Sequence, residues 1–213
     1  MEIVWLGHSC FRLRAREAAV VTDPCPKSTG YSIGRPTADI VTVSHDHEAH
    51  SAVEAVAGSP RVVRGPGEYE IAGVLITGIR TYHDNEKGAR LGTNTAFIIE
   101  AENLRLCHLG DLGHQPTPEL VEVIGAVDVL LVPVGGGTTL DAAAAAETVS
   151  LLEPKLVIPM HYATPATTLK LDPPDRFLKE MGASPELAVQ PRLSVSHSAL
   201  PHETQVAVLD YKR

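Results

Sequence analysis

Aromatic residues are scarce in this 213-residue chain, at 4% of positions, so whatever core it builds must be mostly aliphatic. Lys and Arg form no run, and the net charge is −8 with His neutral. An acidic chain without a basic patch repels a polyanion, which disfavours nucleic acid as a partner. There are only three cysteines, Cys10, Cys25 and Cys107, with no Cys-x-x-Cys pair among them. That excludes a disulfide framework and a structural zinc ribbon, and it suits a reducing compartment. The longest apolar run, Val127 to Val134, is interrupted by Asp128 and is far too short to span a bilayer, so no membrane partner is expected. Met1-Glu2-Ile3-Val4-Trp5 has neither a basic n-region nor an apolar h-region, and the expected location is cytoplasmic. No Gly-x-Ser-x-Gly elbow and no Gly-x-x-x-x-Gly-Lys loop is present, which removes the serine-hydrolase and P-loop readings. Cys25 has no activating neighbour in sequence.

What is present is a succession of short β-branched runs broken by turn residues. Strands are expected at Ile3–Leu6, Cys10–Arg14, Ala18–Thr22, Ile40–Ser44, Arg61–Val63, Val74–Tyr82, Thr95–Glu100, Arg105–Leu109, Val127–Val132, Leu156–Pro159 and Gln205–Leu209. Helices are expected at 49–57, from Thr117-Pro118 to Gly125, over 142–152 behind an Asp141 cap, and from Asp172 through Met181. The segment 24–38 reads as an exposed loop. Strands come first and then alternate with helices, which fits two sheets sandwiched between helices, an α/β (α+β) architecture. No linker divides residues 1–213, so a single domain is expected.

The chemistry concentrates in Ser44-His45-Asp46-His47-Glu48-Ala49-His50, directly after a strand. Residues two apart on an extended segment share a side, so His45 and His47 can converge, with His50 one turn beyond. Three imidazoles in six residues suit a metal better than a core, where each ring nitrogen needs a partner. Three more potential ligands each follow a predicted strand: His83, Asp111 and His161. Ligands at strand ends meet on one rim of a sheet. His8 in Gly7-His8-Ser9 is either a turn residue or one that serves the site or its substrate. Asp23 in Thr22-Asp23-Pro24 could orient a ligand imidazole. His108 is either structural or near the Asp111 loop. Gly135-Gly136-Gly137-Thr138-Thr139 is either an anion cradle or, by preference, a tight turn.

In order and spacing, His45-x-His47-x-x-His50, His83, Asp111 and His161 resemble the metallo-β-lactamase superfamily, in particular its small stand-alone hydrolases. Leu6-Gly7-His8-Ser9-Cys10-Phe11, Thr22-Asp23-Pro24, Leu109-Gly110-Asp111 and Pro159-Met160-His161-Tyr162 extend the likeness over roughly residues 3 to 163. The resemblance implies a four-layer αββα sandwich and one or two divalent ions, zinc first, with manganese or iron as alternatives. It also implies His45, His47 and His83 on one ion, His50 and His161 on the other, and Asp111 shared. Asp111 and His161 are the expected catalytic residues, for attack by a metal-bound hydroxide on a phosphodiester, lactone or other ester of a small-molecule substrate. One position departs from the family motif His-x-His-x-Asp-His: residue 49 is Ala, not Asp. A depleted second metal site follows, unless Glu48, His8, Asp23, Asp84 or His108 substitutes. A metal-binding or regulatory module without turnover is the rival reading; a di-iron redox centre would need a flavin partner domain for which the chain has no room.

Overall fold

The structure is a computed structural model, and it describes residues 1–183 and 187–211. The first sheet contains β1 (Glu2–Gly7), β2 (Cys10–Arg14), β3 (Ala19–Thr22), β4 (Ile40–Val43) and β5 (Arg61–Arg64). The second contains β6 (Gly67–Ile71), β7 (Val74–Tyr82), β8 (Thr93–Ala101), β9 (Leu104–His108), β10 (Val129–Pro133) and β11 (Leu156–Met160). Two short strands, β12 (Leu193–Ser194) and β13 (Gln205–Val206), close one edge of each sheet, giving the orders β12-β1-β2-β3-β4-β5 and β13-β11-β10-β9-β8-β7-β6. Both sheets are mixed. β3, β4 and β5 run parallel, as do β9, β10, β11 and β13, while the remaining pairs are antiparallel.

Parallel neighbours demand crossovers, and in the second sheet the sequence supplies them as helices. Helix α1 (Pro118–Ile124) links β9 to β10, with Thr117 accepting from the Leu120 N–H at its start. Helix α2 (Ala142–Leu152) links β10 to β11, capped by Asp141 through the Ala144 N–H. Helix α3 (Asp175–Glu180) packs on α2. Because helices cover one face of the second sheet and the first sheet covers the other, every residue of β10 is buried. The core between the layers is aliphatic, as the scarcity of aromatics requires, with Trp5, Phe11, Phe97 and Phe177 as its few large rings.

Two expectations need correction on the outer face of the first sheet. Residues 49–57 form only a 3₁₀ turn at Val53–Ala55. Their backbone is tied to other segments, Ala52 N–H to the Pro24 carbonyl and Ala57 N–H to the Pro36 carbonyl, so the bonds of an α-helix are not made there. The segment 24–38 is not simply exposed, because Cys25, Tyr31 and Ile33 are buried in a second apolar cluster with Leu6, Val21, Val41 and Val56. The layer over the first sheet is thus packed loop and 3₁₀ turn. Strand β6 was not anticipated: its alternating Glu68, Tyr69 and Glu70 sit on a sheet edge, where burial leaves no apolar pattern to read. The C-terminal strand is shorter than Gln205–Leu209, and Leu209 instead bridges Gln190. Among the described residues, no helix is long and apolar enough to cross a membrane.

At one rim the sheets are stitched together. The Thr95 N–H, on β8, bonds the Ser44 carbonyl after β4, and the His161 N–H, after β11, bonds the His8 carbonyl after β1. Every residue in the next section hangs from this rim.

Candidate metal centre

Six side chains follow the ends of six strands: His8 after β1, Asp23 after β3, His45 after β4, His83 after β7, Asp111 after β9 and His161 after β11. Three of them, His8, Asp23 and His161, have positive φ values of 54°, 37° and 53°. L-residues adopt this left-handed region at a cost, and such strain is retained chiefly at functional sites. Close packing holds the Asp111 loop. Gly110 has φ +58°, and a Cβ there would lie 2.4 Å from Asn94 Oδ1, the atom that accepts the Asp111 N–H.

The centre of the cluster is one carboxylate oxygen. Asp111 Oδ2 stands 3.1 Å from His50 Nε2, 3.2 Å from His83 Nε2, 3.3 Å from His161 Nε2 and 3.9 Å from His45 Nε2. His47 joins at the exposed margin, its ring stacked on His45 with centroids 5.8 Å apart, and its nitrogens group with those of His45 and His50. All six predicted ligands are therefore brought together.

The outer ring nitrogens fix which way the lone pairs face. His50 Nδ1 donates to Asp23 Oδ2 at 2.9 Å, and His83 Nδ1 donates to the Thr138 carbonyl at 3.0 Å. Ser44 Oγ gives its one proton to Asp23 Oδ2 at 2.6 Å, so it accepts from His45 Nδ1 at 3.0 Å. Three neutral imidazoles thus turn Nε2 lone pairs toward a carboxylate that is itself only an acceptor. With His50 and His83 Nε2 only 3.1 and 3.2 Å from the carboxylate oxygen, acceptor would face acceptor unless a metal ion or a proton lies between them. His45 Nε2 and Asp111 Oδ1 are buried without any hydrogen-bond partner. Donors held tetrahedrally at zinc distances stand roughly 3.3–3.4 Å apart, close to the spacing seen. The residues fit a metal ion, and imidazole with carboxylate suits zinc, iron or manganese.

Protons fill the same role when no ion is bound. Burial works against charge on His50, but the Asp111 and Asp23 carboxylates outweigh it and raise its pKa to about 10. His83 is likewise raised, Asp111 overcoming burial. Asp111 is held well below the usual carboxylate range: burial opposes this, but the His161 and His50 imidazoles prevail. Burial lowers His45 to about 4, helped by His50, and holds His8 well below the ordinary imidazole value with the help of His161 and His50.

The remaining expected residues divide. Asp23, fully buried, accepts from the Ser44 N–H, the Ser44 hydroxyl and His50, so it orients two ligand segments. His108 is buried as an internal tie beside the Asp111 loop: its Nε2 donates to the Ser9 carbonyl and its Nδ1 accepts the Gly110 N–H, leaving no free nitrogen for a substrate. Ser44, Asn94 and Thr138 were not anticipated as supports. The Gly135–Thr139 turn is a turn, as preferred, yet its Thr138 carbonyl aims His83. The site opens into a cavity of about 360 Å³ lined by the six predicted ligands, His8, Ala49, Gly137, Thr138, Leu91 and the 169–171 segment with Lys170.

Two facing mixed sheets carrying an Asp111-centred histidine cage on one rim define a metallo-β-lactamase-fold protein with a metal centre. The chain belongs to that superfamily: residues 2–161 match the family described as the Beta-lactamase superfamily domain. A candidate Zn-dependent hydrolase of the metallo-β-lactamase superfamily from Thermotoga maritima has a crystal structure that superposes with a TM-score of 0.80, at 41% identity, covering 98% of each chain. A UPF0173 protein of Pyrococcus furiosus is 30% identical over 204 residues, 85% of this chain and 90% of its own. A UPF0173 metal-dependent hydrolase of Nitratidesulfovibrio vulgaris is 32% identical over 196 residues, 76% of this chain and 80% of its own.

Proposed function

We propose that this chain, a metal-dependent hydrolase by family and site together, cleaves a phosphodiester, lactone or other ester of a small molecule. In this reading His45, His47 and His83 hold one divalent ion, His50 and His161 a second, and Asp111 is shared, with zinc the preferred metal. Bound ions of this kind lower the pKa of water toward ~7 and polarise a scissile group. The chain's own residues do the rest. Asp111 and His161 set the position of the attacking oxygen, and the hydrogen bonds from Asp23, Ser44 and Thr138 keep the imidazoles from turning. The cavity is of small-ligand size, and Lys170 at its wall favours a substrate that carries negative charge. Replacing an Asp by Ala49 deprives the second ion of a negative ligand and the site of a proton acceptor.

The observation that carries the reading is the cage of imidazole nitrogens around Asp111, whose outer nitrogens are fixed by Asp23 and Thr138 so that a metal ion can replace the protons between them. The test is a panel of phosphodiesters, lactones and carboxylic esters with added Zn(II) or Mn(II), run on wild type, His47→Ala and Asp111→Ala. A metal-dependent rate that falls at least about a hundredfold in Asp111→Ala is expected. Full metal content and full rate in both variants would refute the assignment. Ala49 also motivates the rival, a metal-binding module of the same fold without efficient turnover. Under that rival, wild type binds metal, is inert across the panel, and gains activity in Ala49→Asp.

A further inference from the structure

The metal centre proposed above has a gap in its donors at residue 49, and the fold places a replacement beside it. We infer that His8 serves as a ligand of the second ion, completing with His50, His161 and Asp111 a set in which an imidazole takes the place of the absent carboxylate.

Elimination leads to His8 first. Glu48 is exposed. Asp84 spends both oxygens on the backbone N–H groups of Glu86, Gly88, Arg90 and Leu91, closing its own loop. Asp23 is occupied by Ser44 and His50, and His108 by Ser9 and Gly110. His8 is buried to 1% exposure, yet no carboxylate, carbonyl or hydroxyl holds either ring nitrogen. Its Nδ1 has no partner, and its Nε2 meets only another imidazole nitrogen, His50 Nε2, at 3.1 Å. Buried polar groups are normally satisfied, so an imidazole kept this way needs a reason.

Geometry supplies the reason. His50 already uses Nδ1 on Asp23, so its Nε2 lone pair faces inward. The His8 and His50 Nε2 atoms therefore point at one another across the spacing that two ligands of one ion adopt, roughly 3.3 Å. Nitrogens of His8, His50 and His161 lie mutually within 4.8 Å, and the His8 and His161 rings are 4.4 Å apart. The backbone is committed too. His8 takes φ 54°, and its carbonyl is pinned by the Trp5 indole N–H and the His161 N–H, so its main chain is fixed at the rim beside His161. Ala49 lines the same cavity, where its small side chain leaves His8 room. The exchange restores donor number without restoring negative charge, and it makes the second position nitrogen-rich. Such a set favours zinc or cobalt over manganese.

Metal binding alone tests this. Chelated wild type, His8→Gly and the double variant His8→Gly/Ala49→Asp are titrated with Co(II), following the visible absorption of the bound ion, and loaded with Zn(II) for stoichiometry. Glycine suits the left-handed backbone at residue 8, so it removes the ring without adding strain. Two ions per chain in wild type, a second ion weakened by about tenfold or more in His8→Gly, and its recovery in the double variant are expected. If His8→Gly does not fold, as judged by its melting curve, His8→Asn keeps the backbone preference and replaces a nitrogen donor by a weaker oxygen. Two ions held equally tightly with an unchanged Co(II) spectrum after loss of the ring would overturn the His8 assignment and leave the metal centre standing. A single ion in wild type would do the same. A wild type that takes up no metal would end both.

Discussion

Chelating the protein and raising the pH from 7 to 8.5 should destabilise it by about 2 kcal/mol, which follows from a single retained proton. In the metal-free fold, His50 is fully buried between Asp23 and Asp111 with its pKa raised from 6.5 to about 10. A group whose folded pKa lies above its unfolded value stabilises fully below the unfolded pKa and loses that contribution as pH rises toward the folded one. The folded chain thus keeps a proton that the unfolded chain has released, and stability falls by about 1.4 kcal/mol per pH unit. The slope holds as long as the folded pKa stays above the window, whatever its value. His83, also raised, adds to it with the same sign. Above pH 8.5 the buried Cys107 thiol, shifted upward by burial, steepens the fall further. Below pH 6.5 the sign reverses, because His45, His8 and His108 are held neutral in the fold while the unfolded chain protonates them. Metal-free stability should therefore peak near pH 6.5.

Urea denaturation of chelated protein at half-unit pH intervals measures this directly. Asp111→Asn removes the largest attraction that keeps the His50 proton, so its curve between pH 7 and 8.5 should flatten. Loading with Zn(II) at pH 8 in weak buffer should release at least about one proton per chain, because ligation and protonation compete for the same Nε2, with any proton lost from metal-bound water added to it. A wild-type stability that is level or rises between pH 7 and 8.5, or an Asp111→Asn chain with an unaltered slope, would refute the placement of that proton.

Two further changes probe the supports rather than the ligands. Asp23→Asn puts an amide, whose NH2 cannot accept, where a buried carboxylate accepts three hydrogen bonds from Ser44 and His50, so zinc affinity should fall about 10- to 100-fold and the melting temperature should drop with it; competition against a chromogenic chelator and a melting curve read this. Gly110→Ala adds a Cβ 2.4 Å from Asn94 Oδ1 at a φ of +58°, so it should lower stability by about 1–3 kcal/mol through the lost bond to the Asp111 N–H, and metal retention should drop with it; equal stability and metal content would show that the loop relaxes freely.

The candidate ligands were legible because three histidines crowd the segment after one strand while His83, Asp111 and His161 each follow another, and strand ends in such sheets share a rim. The supports were not, because their signals are common ones. Ser44, Asn94 and Thr138 are ordinary polar residues, and Thr138 acts through its carbonyl, which no side-chain pattern can announce. The 49–57 segment has helical spacing, but bonds from Ala52 to Pro24 and from Ala57 to Pro36 outweigh local propensity, a competition visible only once distant segments are adjacent. Strand β6 is polar since an edge strand has little to bury. Position 49 shows the limit most clearly. The sequence exposes the missing carboxylate and offers five possible substitutes; the choice among them turns on which atoms are already engaged. Asp84, Asp23 and His108 have their hydrogen-bonding atoms taken, Glu48 lies outside, and of the five His8 presents a buried ring whose Nδ1 has no partner and whose Nε2 meets only the His50 imidazole. Motif order thus locates a metal centre, whereas the composition of its coordination sphere is decided by hydrogen bonds formed away from it.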